Sequence, residues 1–341
     1  MSAGAPTLAD RLSAYLTRAW KEPVGVEALA RIPGGASRET YRFEAVMAAG
    51  RRPMILRRDP PGSLIETDRR AEFLAIRSFH GKGVAAPEAL ILEEEGAELE
   101  RPFFVMARVM GGQTASPFAK GPYDPHADSI GEQFFTQLGR IAGADPAGLP
   151  IAEAAEAPAL DACWRRELDY WAGVIETDQL HPQPIVWAAI RRLRRNPPPP
   201  AQKLSVVHGD YRTGNFLHDG AGTIVAILDW EMVHLGDPLE DLGWAMNPLW
   251  RAIDEPRVGG MVTRDQAFAH WERASGLKVD PAAMAWWELF ASVKGQAIWI
   301  SSAKEYRDGG YREPILGFSG WLTARRHDQI LADQLCALEG L

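Results

Sequence analysis

The stretch Leu204–Leu217, LSVVHGDYRTGNFL, together with Ile224–Glu231, IVAILDWE, decides the fold. It places a carboxylate, Asp210, five residues before a carboxamide, Asn215, and it ends the next apolar segment on a second carboxylate, Asp229. The apolar residues on either side predict short strands joined by tight turns, so the three polar side chains should lie at strand ends. Two oxygen ligands and one further carboxylate in this arrangement suit magnesium-assisted phosphoryl transfer.

An ordinary hairpin loop would also favour aspartate and asparagine, because both side chains hydrogen-bond to turn backbone. That alternative explains any one of the three residues, but it explains poorly their order, their spacing and their apolar flanks. The same order occurs in the catalytic loop of protein kinases. There an aspartate orients the substrate hydroxyl, an asparagine five residues later binds a metal ion, and an aspartate beyond the next hairpin links metal and phosphate.

The residues His208-Gly209-Asp210 with Asn215, and then Leu228–Glu231, match the motifs H-G-D-x-x-x-x-N and I/L-D-x-E/D. The chain therefore resembles the aminoglycoside phosphotransferase and choline kinase superfamily. It is more similar still to a bacterial branch related to the kinase-like domain of long acyl-CoA dehydrogenases, through the segments GGASRETYRF, LRRDPPG and HLGDPLEDLGW. The resemblance implies an α+β, two-lobed protein-kinase-like fold, with a small N-terminal antiparallel sheet plus helix and a larger, mainly helical C-terminal lobe.

The two lobes should divide near residue 110, with residues 1–110 as the nucleotide-binding lobe and residues 111–341 as the catalytic and acceptor-binding lobe. Five strands are expected in the first lobe, four of them at Thr40–Val46, Pro53–Arg58, Leu90–Glu93 and Phe103–Val109. An amphipathic helix should precede them from Leu8 onward. Helical periodicity predicts six further helices, at Asp68–His80, Ile130–Ala142, Leu160–Ile175, Ile185–Arg195, Ala283–Lys304 and Gly317–Leu338.

A glycine-rich turn between paired strands can bring backbone N–H groups close to phosphates, because glycine has no Cβ. Such a turn alone is a weak signal. The resemblance makes Gly34 and Gly35 the nucleotide loop and Ser37 a donor to a phosphate. It also implies that the backbone from Ala107 to Val109 hydrogen-bonds the adenine.

Arg57 stands where relatives usually carry the lysine that pairs with the phosphates, so the resemblance makes it the phosphate-binding cation. Arginine binds phosphate bidentately, but its longer fork does not simply replace a point charge. Strand alternation sends Arg57 and Arg58 to opposite faces, one toward the nucleotide and the other toward solvent, and the register favours Arg57. Glu72 shares a helix face with Ile76 and Phe79, where a carboxylate is costly unless it finds a cation. The resemblance implies that this cation is Arg57, and the alternative is a solvated glutamate at the edge of the face.

These assignments predict transfer of the γ-phosphoryl group of Mg-ATP, with GTP possible, to a hydroxyl of a small molecule. Asp210 would orient and deprotonate the acceptor, while Asn215 and Asp229 would hold Mg²⁺. The acceptor is a hydroxy acid or its CoA thioester, an antibiotic or an amino alcohol, in that order of preference. The alternative is a non-catalytic, pseudokinase-type nucleotide sensor, which the intact motif disfavours and the arginine at position 57 keeps open.

Three neighbours of the motif have expected supporting roles. His208 and Asp241 should brace the catalytic loop, while Glu231 either contacts a metal-bound water or the substrate, or makes a structural hydrogen bond. The second lobe is also rich in tryptophan, which could form a cage for a quaternary ammonium group or could pack in a helical core. These tryptophans are Trp164, Trp171, Trp187, Trp244, Trp250, Trp286, Trp287 and Trp299.

The composition fits a globular enzyme of two lobes, since 341 residues exceed one simple core and 46% of them are hydrophobic. The net charge of −8 argues against a nucleic-acid partner, which would require a basic surface. Cys163 and Cys336 lie far apart and suggest neither a disulfide framework nor a metal site. The sequence shows no signal peptide or membrane span, so the expected location is the cytoplasm.

Overall fold

The computed structural model describes residues 5–32, 39–59, 68–251, 256–309 and 313–339 of the chain. Its strands are β1 (Gly25–Ile32), β2 (Glu39–Met47), β3 (Gly50–Arg58), β4 (Ala89–Glu93), β5 (Phe103–Ala107), β6 (Ser205–Val207), β7 (Phe216–His218), β8 (Ile224–Ile227) and β9 (His234–Gly236). Its helices are α1 (Leu8–Trp20), α2 (Arg69–Phe79), α3 (Ala127–Gly143), α4 (Cys163–Asp178), α5 (Pro184–Arg195), α6 (Leu239–Ala245), α7 (Arg264–Ser275), α8 (Pro281–Asp308), α9 (Pro314–Phe318) and α10 (Ala324–Glu339).

The N-terminal part is a five-stranded antiparallel sheet in the order β1-β2-β3-β5-β4. Alternation along β3 sends Met54 and Leu56 into the cluster that contains the buried face of α1. Ile55 points the other way, into the larger core that contains α2. The sheet therefore has a helix on each face, and the residue after Leu56 on the α2 side is Arg57.

The strand β1 is the fifth strand of the predicted sheet, the one to which the sequence assigned no range. It lies at the edge and shows few buried residues, which is why its hydrophobic pattern is weak. The strand β5 ends at Ala107 rather than at the predicted Val109, so Val109 lies beyond the strand. Residues 33–38 lie outside the described part of the chain, and with them Gly34, Gly35 and Ser37.

The C-terminal part is mainly helical and is organised around α8. This helix of 28 residues buries side chains on all its faces, as a helix does when other helices surround it. The helices α4, α5, α6 and α10 all contact it. The predicted architecture of a small sheet lobe with one internal helix and a larger helical part is thus confirmed.

Several helix limits differ from the predicted ones. The helix predicted to begin at Leu160 begins at Cys163 and continues to Asp178. The single helix predicted from Gly317 is α9, a π-helical turn at Ser319–Thr323 and then α10. The extent of α6 was not predicted, because all seven of its residues are buried and leave no alternation of polar and apolar positions. Nor was α7, which buries only Ala267 and Trp271.

A two-stranded sheet and the hairpin enclosed between its strands carry the motif residues. The strand β6 pairs with β9, and β7 pairs with β8 in the hairpin, both antiparallel. A backbone hydrogen bond of 2.8 Å from Leu228 N–H to Asn215 C=O ties the hairpin to the loop before it. Among the described residues, no helix is long and apolar enough to cross a membrane.

Candidate active site

The catalytic loop begins at His208 and depends on a glycine for its shape. Gly209 has a φ of +86°, and a Cβ on this residue would lie 2.3 Å from the carbonyl oxygen of Met232. A larger residue would therefore both strain the backbone and push the neighbouring segment away. The carboxylate of Asp241 accepts the N–H groups of His208 at 2.5 Å and of Gly209 at 2.9 Å, as expected for a bracing residue.

His208 braces the loop with both ring nitrogens. Its Nδ1 accepts the backbone N–H of Asp210 at 3.2 Å, and its Nε2 donates to the carbonyl of Leu228 at 3.0 Å. This pattern requires a neutral ring, since only one of the two nitrogens carries a proton. Burial favours the same form by lowering the pKa of His208 to about 4. His208 thus links the loop that carries Asp210 to the strand end that precedes Asp229.

The carboxylate of Asp210 is surrounded by hydrogen-bond donors. Its Oδ1 accepts the indole N–H of Trp244 at 2.7 Å and the Nε–H of Arg212 at 2.9 Å, while its Oδ2 accepts the side-chain amide of Asn215 at 2.5 Å. Burial raises the pKa of Asp210, although the charge of Arg212 and the bond from Trp244 oppose that shift. A fixed carboxylate with a raised pKa is suited to accept a proton.

Asn215 and Asp229 are the two residues predicted to bind the metal ion. The side-chain nitrogen of Asn215 donates to the backbone and the side chain of Asp210, which leaves the amide oxygen for another ligand. Asp229 adopts a left-handed conformation with φ of +68°, and its side chain is 35% exposed. An amide oxygen and an accessible carboxylate are hard ligands of the kind that Mg²⁺ prefers, so both residues fit the ion.

Arg57 contacts three carboxylates from different segments. Its guanidinium lies 2.6 Å from Glu72 of α2, 3.2 Å from Glu231 and 3.5 Å from Asp229. Glu72 is completely buried, so the solvated alternative for this residue is wrong. Burial alone would lower the pKa of Arg57, but the three carboxylates, Glu72 foremost, raise it above its usual value. The structure thus places Glu72 against Arg57, and Glu231 joins them from the segment after Asp229.

Arg58 faces the other side of the sheet, as strand alternation requires, but it does not point to solvent as predicted. Its guanidinium donates to Glu39 at 2.6 and 2.9 Å and to the carbonyl of Leu99 at 3.1 Å. It also lies 5.9 Å from the centre of the Tyr41 ring. A buried arginine needs such partners, and the far face of the sheet supplies them under α1.

The segment predicted to bind adenine begins at Ala107, the last residue of β5. The N–H of Ala107 donates to Glu88 and that of Arg108 donates to Pro53, at 2.8 and 3.0 Å. Within the described ranges no backbone hydrogen bond uses the N–H of Val109, so this group remains for a ligand. Farther along, Gln113 exchanges two backbone hydrogen bonds with His218 and joins this segment to the catalytic hairpins.

Residues 28–277 match the phosphotransferase enzyme family, APH. The match covers well over half of the chain and includes the catalytic loop, Arg57 and Asp229. The chain belongs to this family. The superfamily expected from the motif is thereby confirmed.

Relatives of known annotation and known structure agree with the assignment. Acyl-CoA dehydrogenase family member 11 of Gallus gallus is 25% identical over 230 residues, which are 66% of this chain and 28% of that protein. A structure described as a candidate aminoglycoside phosphotransferase from Ralstonia eutropha is 19% identical, covers 95% of this chain and 97% of its own, and has a TM-score of 0.74. The ternary complex of an aminoglycoside phosphotransferase APH(4)-Ia mutant with AMP-PNP and hygromycin B is 16% identical, with coverages of 97% and 99% and a TM-score of 0.61. The kinase-like fold is confirmed by these structures, and the match spans less than a third of the dehydrogenase.

Four charged residues, three of them buried and His234 half-buried, form an ion network behind the catalytic loop of this family member. They are Glu167, His234, Glu240 and Lys294. The Nε2 of His234 lies 3.1 Å from Glu240 and 3.5 Å from Glu167, while its Nδ1 lies 3.0 Å from the carbonyl of Met232. Because both ring nitrogens face acceptors, the ring must be protonated. Burial disfavours that form, but the carboxylates of Glu167 and Glu240 outweigh it and raise the pKa of His234 to about 9.

Three ligand-type side chains close together can also indicate a metal site, and the ligand atoms of Glu167, His234 and Glu240 lie within 4.8 Å of one another. The ammonium of Lys294 is 3.0 Å from Glu240, so a cation already occupies this environment. With the ring protonated, two positive and two negative charges balance. We therefore interpret the cluster as an ion network.

The raised pKa of His234 makes its contribution to stability dependent on pH. In the unfolded chain the pKa of this histidine is near 6.5, and below that pH the charged ring stabilises the fold fully. The contribution is lost as the pH rises toward 9, the pKa of His234 in the folded protein. We expect His234→Gln to lower the free energy of unfolding by up to about 3 kcal/mol near pH 6 and by much less near pH 9.5. Denaturant unfolding of both proteins across this range tests it, with the exposed His181→Gln as control. A difference that grows with pH would contradict the assignment.

A cavity of about 320 Å³ lies between α4 and the segment after Asp229. Its lining includes Tyr170 and Trp171 of α4 and also Glu231 and Lys294. The sequence predicted the acceptor site within residues 112–135, 155–185 and 245–310. Tyr170 and Trp171 lie in the second of these segments and Lys294 in the third, whereas Glu231 lies in none of them. The volume is in the range of small-molecule sites.

The tryptophans expected to form either a cage or a core are buried or half-buried. Trp286 and Trp287 pack with Phe290, and Trp244 packs with Trp250. The rings of Trp171 and Trp244 do face a cation, at 5.7 and 5.4 Å, but it is the ammonium of Lys294. For these two rings the core interpretation is the one that holds.

Sequence reasoning missed Arg212, Trp244, Glu240 and Lys294. Arg212 and Trp244 lie inside the recognised segments, yet nothing in the motif spacing shows that they hold the carboxylate. The signal for Lys294 is its setting in FASVKGQAIW, where one charge interrupts an apolar stretch of helix. A buried cation demands a partner, but the sequence does not say which carboxylate supplies it.

Proposed function

We propose that the protein transfers the γ-phosphoryl group of ATP to a hydroxyl group of a small molecule, with Mg²⁺ as the metal and GTP as a possible second donor. The observation that carries the proposal is the environment of Asp210. Its carboxylate is held by Trp244, Arg212 and Asn215, and burial raises its pKa. A carboxylate held in this way can orient a hydroxyl and take its proton, the role that phosphoryl transfer leaves to the protein.

The remaining residues bind and position the nucleotide. Asn215 and Asp229 would hold Mg²⁺, which offsets the charge of the phosphates. Arg57, fixed by Glu72, would contact the phosphates, and the N–H of Val109 would bind the base. The glycine loop with Gly34, Gly35 and Ser37 completes the proposed site from outside the described residues.

The acceptor is proposed from the relatives and from the cavity beside α4. A hydroxy acid or its CoA thioester ranks first, because the curated relatives are acyl-CoA dehydrogenases. An antibiotic ranks second, because a structural relative is complexed with hygromycin B, and an amino alcohol ranks third. A screen of these three classes that follows ADP release would identify the acceptor. Turnover in none of them, with binding of Mg-nucleotide intact, would favour the nucleotide-sensor alternative.

The metal assignment predicts that nucleotide binding depends on magnesium through Asp229. Calorimetry should show tighter binding of ATP with Mg²⁺ than with a chelator in the wild type. We expect Asp229→Ala to bind ATP with the same weak affinity under both conditions, because it lacks the carboxylate ligand. Asp219→Ala, in the turn of the same hairpin, removes an equal charge and should keep the dependence. Equal affinities with and without magnesium in the wild type would refute the assignment.

A further inference from the structure

Lys294 is a completely buried cation in the middle of α8, with a side chain 1% exposed. Its ammonium donates to the carbonyl oxygen of Gly209 at 2.7 Å and to Glu240 at 3.0 Å. The centres of the Trp171 and Trp244 rings lie 5.7 and 5.4 Å from it. A charge buried this deeply must be compensated, and here one of its two acceptors is the backbone of the catalytic loop.

The backbone of Gly209 is consequently fixed on both sides. Its N–H donates to Asp241 at 2.9 Å, and its C=O accepts from Lys294 at 2.7 Å. This C=O belongs to the peptide bond that leads into Asp210. The same peptide unit contains the N–H of Asp210, which donates to His208, and it ends at the Cα that carries the Asp210 side chain. A displacement of this peptide would therefore move the atom to which the carboxylate is attached.

The carboxylates that accept hydrogen bonds from Lys294 and from the N–H of Gly209 belong to one short helix, α6. Glu240 binds the ammonium, Asp241 binds the N–H of Gly209, and Trp244, four residues after Glu240, donates to the carboxylate of Asp210. Residues four apart lie on one helix face. The same face that holds Lys294 therefore also holds the carboxylate of Asp210.

The network also reaches the other motif segment. Glu240 is shared with the protonated ring of His234, which donates to the carbonyl of Met232, three residues after Asp229. Met232 is the residue against which Gly209 packs. The loop of Asp210 and the segment after Asp229 thus depend on the same buried charges.

We propose that Lys294 is a positioning residue for phosphoryl transfer. Its ammonium fixes the carbonyl of Gly209 and so sets the orientation of Asp210, a role beyond balancing the charge of Glu240. The inference rests on the proposed function for its kinetic consequence, whereas the restraint on the loop is independent of it. Hydrogen-bonded placement of a catalytic group matters because a displacement of about 1 Å can cost about 10²-fold in rate.

The test compares Lys294→Met with the double variant Lys294→Met/Glu240→Gln. The single variant leaves Glu240 without its lysine and is expected to be less stable. The double variant removes one charge of each sign, which restores the balance but not the donor to Gly209. We expect kcat to fall about 10²-fold in both variants, with KM for ATP changed by less than about twofold. Lys304→Met is the matched control, since this lysine lies on α8 and pairs with Asp178 away from the loop.

Hydrogen exchange measured by mass spectrometry on residues 206–212 gives a second readout that needs no acceptor. Exchange in this segment should be faster in both Lys294 variants than in the wild type and unchanged in Lys304→Met. If the double variant regains both the thermal stability and the kcat of the wild type, Lys294 only balances charge and the proposal is overturned. Unchanged exchange in the double variant would overturn it as well. Failure of the wild type to turn over any acceptor would remove the proposed function, and the exchange result would still decide whether Lys294 restrains the loop.

Discussion

Replacing Asp210 by asparagine is expected to abolish turnover while Mg-nucleotide binding persists. The substitution keeps the size of the side chain but removes the group that accepts the proton of the acceptor hydroxyl. General-base catalysis contributes about 10²–10⁴-fold to rate, so kcat should fall by that factor. The measurement is ADP release with an acceptor identified by screening, alongside calorimetry of ATP with magnesium.

The surroundings of Asp210 add a structural cost to this variant. Three donors, from Trp244, Arg212 and Asn215, converge on its carboxylate, and an asparagine offers only one oxygen to them. A donor left without an acceptor costs about 1–3 kcal/mol, so the variant should also unfold more easily. Nucleotide affinity therefore has to be measured to separate lost chemistry from lost structure.

The exposed Asp161→Asn has the same change of charge and should behave as wild type. A variant Asp210→Asn with the kcat of the wild type would show that Asp210 is not the base. Weak binding of ATP together with lost activity would indicate instead that the loop has collapsed, and the result would then count for structure rather than catalysis.

The residues whose proximity the sequence predicted are those that one local unit brings together. Asp210 and Asn215 lie in the loop between β6 and β7, and Asp229 follows β8, which pairs with β7, so short turns place all three at neighbouring strand ends. The partner of Arg57 could also be predicted, because Glu72 interrupts an apolar helix face, where its carboxylate needs a cation, and the resemblance implied that the cation is Arg57.

The parts that escaped prediction depend on contacts between distant segments. Lys294 and Gly209 are 85 residues apart, and Lys294 and Glu240 are 54 apart. The spacing of residues contains no information about such pairs until the helices are packed. The solvent-facing interpretation of Arg58 failed for the same reason, since α1 and the carboxylate of Glu39 cover a sheet face that alternation alone leaves open.

After the substitution of Asp210, removing the ion pair between Arg57 and Glu72 should cause the next largest loss of activity. Arg57→Ala leaves Glu72 buried without its cation, and breaking a buried pair from one side costs about 3–5 kcal/mol. Both Arg57→Ala and Glu72→Ala are expected to lose activity. The double variant should lose less than the sum, with a coupling of about 0.5–3 kcal/mol, because the two residues act through one contact.

Replacing Arg57 by lysine tests how far its role depends on the guanidinium group. A lysine has a single charged group and cannot contact Glu72, Asp229 and Glu231 in the way the guanidinium does. The resemblance to the family nevertheless implies that relatives carry a lysine at this position. Arg57→Lys should therefore retain substantial activity.

Arg58→Ala is the matched control, since Arg58 pairs with Glu39 on the opposite face of the same strand. This variant should be less stable yet keep its affinity for nucleotide, measured by calorimetry in parallel with ADP release. If Arg58→Ala were inactive and Arg57→Ala normal, Arg58 rather than Arg57 would be the residue that binds the phosphates. If both alanine variants turned over normally, neither arginine would bind the phosphates, and the metal site and the glycine loop would have to hold the nucleotide alone.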